Sequence, residues 1–295
     1  MSVEVTRVAI IGGYGKMGRW FARALLGEGL RVIIAGRDRA KLEEAAAEMG
    51  CQAASGKEAV KQADAVVLSV PVNSFEDIAR EIAPYVKPGQ YVFDITSVKA
   101  RPVETMHRYF SGCRVLGTHP MFGPGAESIA GQRFVLTPAN DGEESLAAQL
   151  RGYLEARGAC VAVMDPLQHD ELMGIVLGLA HFIALVSADT LLSLGKLREA
   201  AEVSGASYRL LLTLVEAVVS EDPNFYSSLQ MNLPGMAKVE EIFLAKSKDW
   251  ADMVKSHDTK GFAERMAYLK LKFEQADPGF SDTYKNVYRL LGELK

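Results

Sequence analysis

The chain has 295 residues, enough for one large or two ordinary domains, and its apolar fraction of 48% excludes disorder as a main theme. A net charge of −4 carries no electrostatic footprint for nucleic acid. Three widely spaced cysteines, Cys51, Cys113 and Cys160, lack CxxC spacing and point to buried thiols in a reducing compartment, not to staples or a metal site.

The N-terminal Met-Ser-Val-Glu-Val-Thr-Arg runs straight into a strand with no signal-peptide pattern, so a cytoplasmic protein is expected. Residues 7–12 (RVAIIG) are a continuous apolar run ending in glycine, which reads as a strand buried on both faces. Helical periodicity follows over 15–28 through Met17, Phe21, Ala24 and Leu25, then a second strand at 31–35 (RVIIA). Asp38 is placed as the N-cap of a helix over 39–49. Residues 65–70 form another buried strand ended by Pro71, with a helix from about Ser74 to Tyr85. Strands at 91–95 and 114–116 flank a helix over 102–110, and strands at 132–137 and 159–164 flank one over 143–157.

Strands alternating with helices mean parallel pairing through right-handed crossovers, hence an α/β fold with a Rossmann-type doubly wound sheet. The alternation stops at Asp165-Pro166, beyond which only helical periods remain. The uncharged run 172–188 contains His181 and falls short of the ~20 residues of a membrane span, so a buried helix and no membrane role are expected. Leu172–Leu194 is nonetheless apolar nearly all round and needs cover on every side, more than ~130 residues of helix easily provide. A homodimer through the helical part is the expected solution. The tail from Asp249 carries mixed charge with periodic Phe262, Met266, Leu269 and Phe273 and reads as packing helices with a solvated face.

Between the first strand and helix, Gly13, Gly15 and Gly18 match GxGxxG. Gly13 allows the tight turn, Gly15 lets the backbone approach a pyrophosphate, and Gly18 lets the helix pack on the sheet. The strand-turn-helix context assigns this turn to a dinucleotide, with Gly13, Tyr14, Gly15, Lys16, Met17 and Gly18 as candidate contacts. Val70 and Pro71, where the 65–70 strand ends, complete the set. A glycine turn that binds nothing is the plainer alternative. Most NAD sites carry an acidic residue at the end of the second strand. Here Gly36 stands there, followed by Arg37, Asp38, Arg39 and Lys41. Cations at a helix N-terminus oppose its dipole, so a 2′-phosphate is a reason for them and NADP is favoured over NAD. Solvated charges, with Asp38 left to contact a ribose, are the other reading.

Two strand ends carry candidate chemistry. After Val115 and Leu116, Gly117 and the flanking prolines force a loop that presents His119 at the strand tip, a proton acceptor suited to neutral pH. A turn histidine without duties is the alternative. Ser97 and Lys99 follow the 91–95 strand. Ser97 suits a substrate hydroxyl, although spacing alone favours a helix N-cap, and Lys99 is placed as a cation for a phosphate or carboxylate of the substrate.

Three motifs, Gly-Gly-Tyr-Gly-Lys-Met-Gly at 12–18, Asp-Ile-Thr-Ser-Val-Lys at 94–99 and Gly-Thr-His-Pro-Met-Phe-Gly-Pro at 117–124, resemble those of the prephenate dehydrogenase family, prephenate and arogenate enzymes alike. His169-Asp170, Gly178-Leu-Ala-His181-Phe182 and Ser207-Tyr208-Arg209-Leu210 extend the likeness to about residue 235. The resemblance implies an NAD(P)-dependent oxidoreductase of tyrosine biosynthesis acting on prephenate or arogenate. It implies a dinucleotide-binding domain over 1–165 and a helical substrate and dimerisation domain over 166–295. In that frame His119 is the base for the ring hydroxyl, Ser97 orients that hydroxyl, Arg209 binds a substrate carboxylate, and His181 lines the pocket. The chain departs from the pattern at Gly178, where many members have histidine, and in lacking the acid after the second strand.

The residues themselves leave plainer roles open: a surface ion pair of Arg209 with Glu216 or Glu202, and a satisfied core position for His181. His169 and Asp170 lack a third ligand at useful spacing, so no metal is expected and a structural or orienting role fits them. Among rivals, a 3-hydroxyacid dehydrogenase would want a lysine on the long helix, and Leu172–Leu194 has none. Ketol-acid reductoisomerase would want a carboxylate cluster for magnesium there. A non-catalytic dinucleotide sensor would have no use for Ser97, His119 and Arg209 as a set.

Overall fold

The structure, a computed structural model, describes residues 5–293. The expectation about the N-terminal stretch falls on residues 1–4, which lie outside the described residues. The chain divides into two compact units, one running up to Met173 and taking in Ser227–Pro234, the other Gly174–Tyr226 and everything from Gly235 onward.

The first unit holds an eight-stranded sheet. Its chain order is β1 (Arg7–Ile11), α1 (Lys16–Gly27), β2 (Arg31–Ala35), α2 (Arg39–Met49), β3 (Gln52–Ala54), α3 (Gly56–Gln62), β4 (Ala65–Leu68) and α4 (Val72–Ile82). There follow β5 (Tyr91–Asp94), α5 (Ala100–Tyr109), β6 (Arg114–Pro120), β7 (Arg133–Thr137), α6 (Asp141–Glu155), β8 (Cys160–Val163) and α7 (Pro166–Met173). Strand order across the sheet is β3-β2-β1-β4-β5-β6-β7-β8. The Rossmann-type doubly wound expectation therefore holds. Successive residues of β1 alternate between two cores, Val8 and Ile10 on one face and Ala9 and Ile11 on the other, all buried. Each buried valine or isoleucine side chain contributes about 1.5–3 kcal/mol by leaving water, which is why these strands read as unbroken apolar runs.

Three details differ from the sequence reading. The strand expected over 114–116 runs on to Pro120, so His119 stands within β6, paired with β7, and not on a loop forced by Gly117. β3 and α3 fill the stretch between residues 49 and 65 that periodicity left blank, because a three-residue strand with no side chain larger than Gln52 is too short and weakly apolar to show a period. β7 pairs antiparallel with β6, Gly117 opposite Thr137 and His119 opposite Val135. No helix separates these strands, so no crossover returns β7 to the parallel direction. Residues 121–132 instead loop back, closed by a hydrogen bond from the Met121 N–H to the Arg133 carbonyl (2.8 Å).

The second unit is helical: α8 (Ala180–Leu194), α9 (Leu197–Glu202), α10 (Ala206–Val219), α11 (Pro223–Asn232, shared with the first unit), α12 (Met236–Lys255), α13 (Thr259–Ala276) and α14 (Thr283–Glu293). A π-helical stretch, Gly174–Leu179, joins α7 to α8, so Pro166–Leu194 is one helical run of 29 residues. This corrects the sequence estimate. The run is long and apolar enough to cross a membrane by length and composition, and only 11% of its most apolar window is buried within the chain. The expected buried helix is not covered by its own chain: Leu192 and Leu194 are each 67% exposed.

Candidate functional site

At the β1–α1 turn, Gly12 and Gly13 donate their N–H groups to the Ala35 carbonyl (2.8 and 3.1 Å), tying the turn to the end of β2. Gly12 has φ +87°, open to glycine at little cost. A Cβ on Gly13 would lie 2.5 Å from Ile34 Cβ, and one on Gly18 2.4 Å from the Gly12 carbonyl oxygen. The backbone is thus drawn tight around the turn. Gly15 sits at the N-cap of α1, which has no side-chain cap and no acid in its first turn. Backbone N–H groups and a positive dipole end with no competing carboxylate suit a pyrophosphate, so the residues present fit a dinucleotide. Lys16 and Met17 open that helix. Val70 and Pro71 follow β4 beside the turn, where a side chain on Gly12 would strike the Ser69 carbonyl.

At the end of β2, Asp38 caps α2 as expected, accepting from the Lys41 N–H (3.1 Å). Arg39 pairs with Glu43 (2.8 Å). Arg37 is exposed and has no ion-pair partner among the described residues. The Tyr14 ring occupies the space over Gly36, where a Cβ would lie 2.3 Å from Tyr14 Cε1. No acidic side chain could stand at 36 without moving that ring.

The ends of β5 and β6 lie side by side, Asp94 opposite Gly117, so the segment bearing Ser97 leaves β5 next to the last residues of β6, where His119 is the penultimate one. His119 is buried, 4% exposed, and its Nδ1 lies 2.9 Å from Nε2 of His169 on α7. The other His169 nitrogen, Nδ1, lies 2.7 Å from Asp170 Oδ1. Asp170 accepts from two backbone donors as well, the Lys99 N–H at Oδ1 (2.6 Å) and the Ala100 N–H at Oδ2 (2.9 Å). Asp170 therefore caps α5 from 71 residues away. That overturns the cap expected of Ser97: the helix starts three residues later, and Ser97 is half-buried with its hydroxyl not used as a cap.

Lys99 also departs from its expected role. It is 0% exposed, its ammonium pairs with Asp94 and donates to the Thr118 carbonyl (2.7 Å). Asp94 further accepts from the Thr96 N–H (3.1 Å) and hydroxyl (2.5 Å) and from the Thr118 N–H (3.3 Å). Lys99 is spent inside the protein and is not a substrate cation. It joins the tips of β5 and β6 one residue before His119. Sequence reading passed over Asp94 and Thr118, although an aspartate ending the apolar strand Tyr-Val-Phe-Asp five residues before a lysine was a signal for a buried pair.

Burial pushes the His119 imidazole well below its usual range, helped by the nearby Lys99 ammonium and by His169. Burial also lowers His169, against the pull of its hydrogen bond to Asp170. Both rings are neutral at pH 7. Below their ordinary value of about 6.5 the unfolded chain binds protons that the folded protein refuses, so stability falls as pH drops through that value. Scanning calorimetry from about pH 7.5 to about pH 5 should show Tm falling, with a shallower slope in a His119→Gln, His169→Gln variant.

In the helical unit, Arg209 lies exposed on the first turn of α10, and neither Glu202 nor Glu216 pairs with it. The alternative of a surface ion pair is thereby removed. His181, on the first turn of α8, meets Tyr226 edge to face at 4.7 Å, and its Nδ1 is buried without a hydrogen-bond partner. It is not the satisfied core histidine of the plainer reading. Burial lowers its pKa. The Tyr208 hydroxyl, beside Arg209 in sequence, is likewise buried and unpartnered.

Residues 21–163 match the family described as prephenate dehydrogenase, nucleotide-binding domain, and residues 165–268 match prephenate dehydrogenase, dimerization domain. A protein of Methanocaldococcus jannaschii named probable arogenate/prephenate dehydrogenase is 33% identical over 293 residues, covering 98% of this chain. The chain spans 66% of that relative's length. The T-protein of Haemophilus influenzae is 26% identical, over 99% of this chain and 74% of its own. Among solved structures, prephenate dehydrogenase from Aquifex aeolicus, in complex with hydroxyphenyl propionate and NAD+, superposes with a TM-score of 0.76 at 21% identity, covering 94% of this chain and 100% of that one. Synechocystis arogenate dehydrogenase gives 0.69 at 18% identity, covering 92% and 100%.

Proposed function

Since the chain belongs to the prephenate dehydrogenase family, we propose that it converts prephenate to 4-hydroxyphenylpyruvate by oxidative decarboxylation with NADP or NAD, a step of tyrosine biosynthesis. The observation that carries the reading is a buried, neutral imidazole, His119, held at a strand tip beside the segment bearing Ser97. Arogenate, which differs from prephenate by an amino group in place of the keto group, is the second candidate substrate, supported by the name of the Methanocaldococcus jannaschii relative.

Prephenate carries a ring alcohol opposite a quaternary carbon bearing a carboxylate. A bound nicotinamide supplies the hydride acceptor. His119 takes the hydroxyl proton as the carbinol C–H electrons leave, and a ring ketone forms. The C–C bond to the carboxylate then breaks, CO₂ departs, its electrons aromatise the ring, and the former ketone oxygen takes up a proton to give a phenol. Aromatisation makes the sequence effectively irreversible. Ser97 orients the hydroxyl, the unpaired Arg209 binds a carboxylate, for which a planar guanidinium is suited, and His181 lines the substrate pocket. Gly13, Tyr14, Gly15, Lys16, Met17 and Gly18, with Val70 and Pro71, hold the dinucleotide.

NADP is the proposed preference. Asp38 is occupied as a helix cap, Tyr14 covers Gly36, and Arg37 stands exposed with no ion-pair partner among the described residues, which supports a contact with a 2′-phosphate. Losing one charge-assisted bond costs about 1.5–3 kcal/mol, so Arg37→Ala should raise the NADP Kd roughly tenfold to a hundredfold and leave NAD unchanged in fluorescence titrations. Equal effects on both cofactors would contradict the assignment.

A homodimer is proposed through the helical unit. The mostly uncovered Pro166–Leu194 run and the dimerization-domain match support it. Three free cysteines support a cytoplasmic setting. The test of the function is a steady-state comparison of prephenate and arogenate with both cofactors. Prephenate with NADP is expected to give the highest kcat/KM, and no turnover in any combination would refute the reading.

A further inference from the structure

A buried general base works only if the nitrogen facing its substrate carries a lone pair. For imidazole that is a question of tautomer, and a neighbouring hydrogen bond settles it. His119 shows Nδ1, not Nε2, to His169, so the second ring decides which His119 nitrogen holds the proton. The second ring is in turn decided by Asp170. Asp170 accepts two backbone N–H groups, one at each oxygen, so both oxygens act as acceptors toward their neighbours. His169 must then donate from Nδ1, and being neutral it keeps a lone pair on Nε2. His119 can satisfy that lone pair only by donating its own Nδ1–H, which leaves Nε2 bare.

We propose that Asp170, acting through His169, fixes His119 in the Nδ1–H tautomer and so presents Nε2 as the base. Both are positioning residues, and the proposal rests on the reading of His119 as the proton acceptor.

The charge balance of the pocket agrees. Three charged groups act on the two rings: Asp94 at the end of β5, Lys99 at the start of α5, and Asp170 on α7. One ammonium faces two carboxylates, so the empty base sits in a pocket with one negative charge to spare. When Nε2 takes the substrate's hydroxyl proton, the O–H electrons stay on the substrate oxygen, and the new imidazolium is balanced by that surplus. The Nδ1–H bond to His169 persists, and Asp170 does not have to be protonated. The logic is that of the serine-protease triad, in which the buried aspartate orients the imidazole and stabilises its charged form.

The assignment is tested by NMR of protein labelled with 15N-histidine, read at neutral pH, with resonances assigned through His119→Asn and His169→Leu. The expected result is His119 protonated at Nδ1 and bare at Nε2. In Asp170→Ala the His169 Nδ1–H loses its acceptor, the wild-type tautomers no longer dominate, and kcat falls about 10²- to 10⁴-fold while the dinucleotide KM stays within about twofold. Asp170→Glu, which restores a carboxylate, recovers part of the rate. His169→Leu keeps the α5 cap intact and separates orientation from folding. It should lower kcat and move the acid limb of the pH–rate profile, a response that loss of packing alone would not give. A wild-type His119 carrying its proton on Nε2, or an Asp170→Ala protein with unchanged tautomers and kcat, would overturn the proposal. The tautomers are read without turnover. A protein that shows them but fails to oxidise prephenate would refute the proposed function and leave the assignment standing.

Discussion

Replacing His119 with asparagine is expected to lower kcat by about 10²- to 10⁴-fold, the usual contribution of a positioned general base, with little change in dinucleotide KM. Asparagine keeps a polar group at the strand tip but cannot accept a proton at neutral pH. The glycine turn at the β1–α1 junction is a separate element, so dinucleotide binding is not expected to suffer. Tm should change little, because a ring held neutral by burial adds no charge to the folded state. Stopped-flow measurement of the first turnover would place the loss on the chemical step. A variant retaining more than about a tenth of the wild-type kcat would remove His119 as the base.

The second large effect is on stability. Lys99→Met leaves Asp94 fully buried without its ammonium, and breaking a buried pair in this way costs about 3–5 kcal/mol. The double variant Asp94→Asn, Lys99→Met removes both charges and should recover much of that loss, since the cost lies in the orphaned carboxylate. Burial lowers the Lys99 pKa and Asp94 raises it, so the ammonium depends on its partner. Chemical denaturation of the two variants gives the numbers. If Lys99 instead contacted substrate, Lys99→Met would raise substrate KM and leave the denaturation midpoint where it was.

Much of this was legible in the residues. RVAIIG and RVIIA are buried on both faces, and a strand of that kind shows as an unbroken apolar run. Gly13, Gly15 and Gly18 betray their turn because close backbone approach tolerates nothing larger. Asp38 announces its cap. What did not show depends on partners far along the chain. Ser97 has the spacing of a cap, but the Asp170 carboxylate, 71 residues beyond Lys99, does the capping. Lys99 reads as a cation for a substrate phosphate or carboxylate until the fold closes around Asp94. The direction of β7 follows from a 121–132 connection that contains no helix, and composition does not distinguish that from a crossover. The contact between His119 and His169 spans 50 residues, a separation invisible to any local window.

The central claim, that this chain removes a hydride and CO₂ from one substrate through His119, is tested most directly by mixing purified protein with prephenate and NADP or NAD. Nicotinamide reduction and CO₂ release would be followed together. The account predicts one CO₂ for each nicotinamide reduced, a phenolic product, and loss of both signals in His119→Asn. Nicotinamide reduction without CO₂, or a His119→Asn protein that produces both at the wild-type rate, would contradict it.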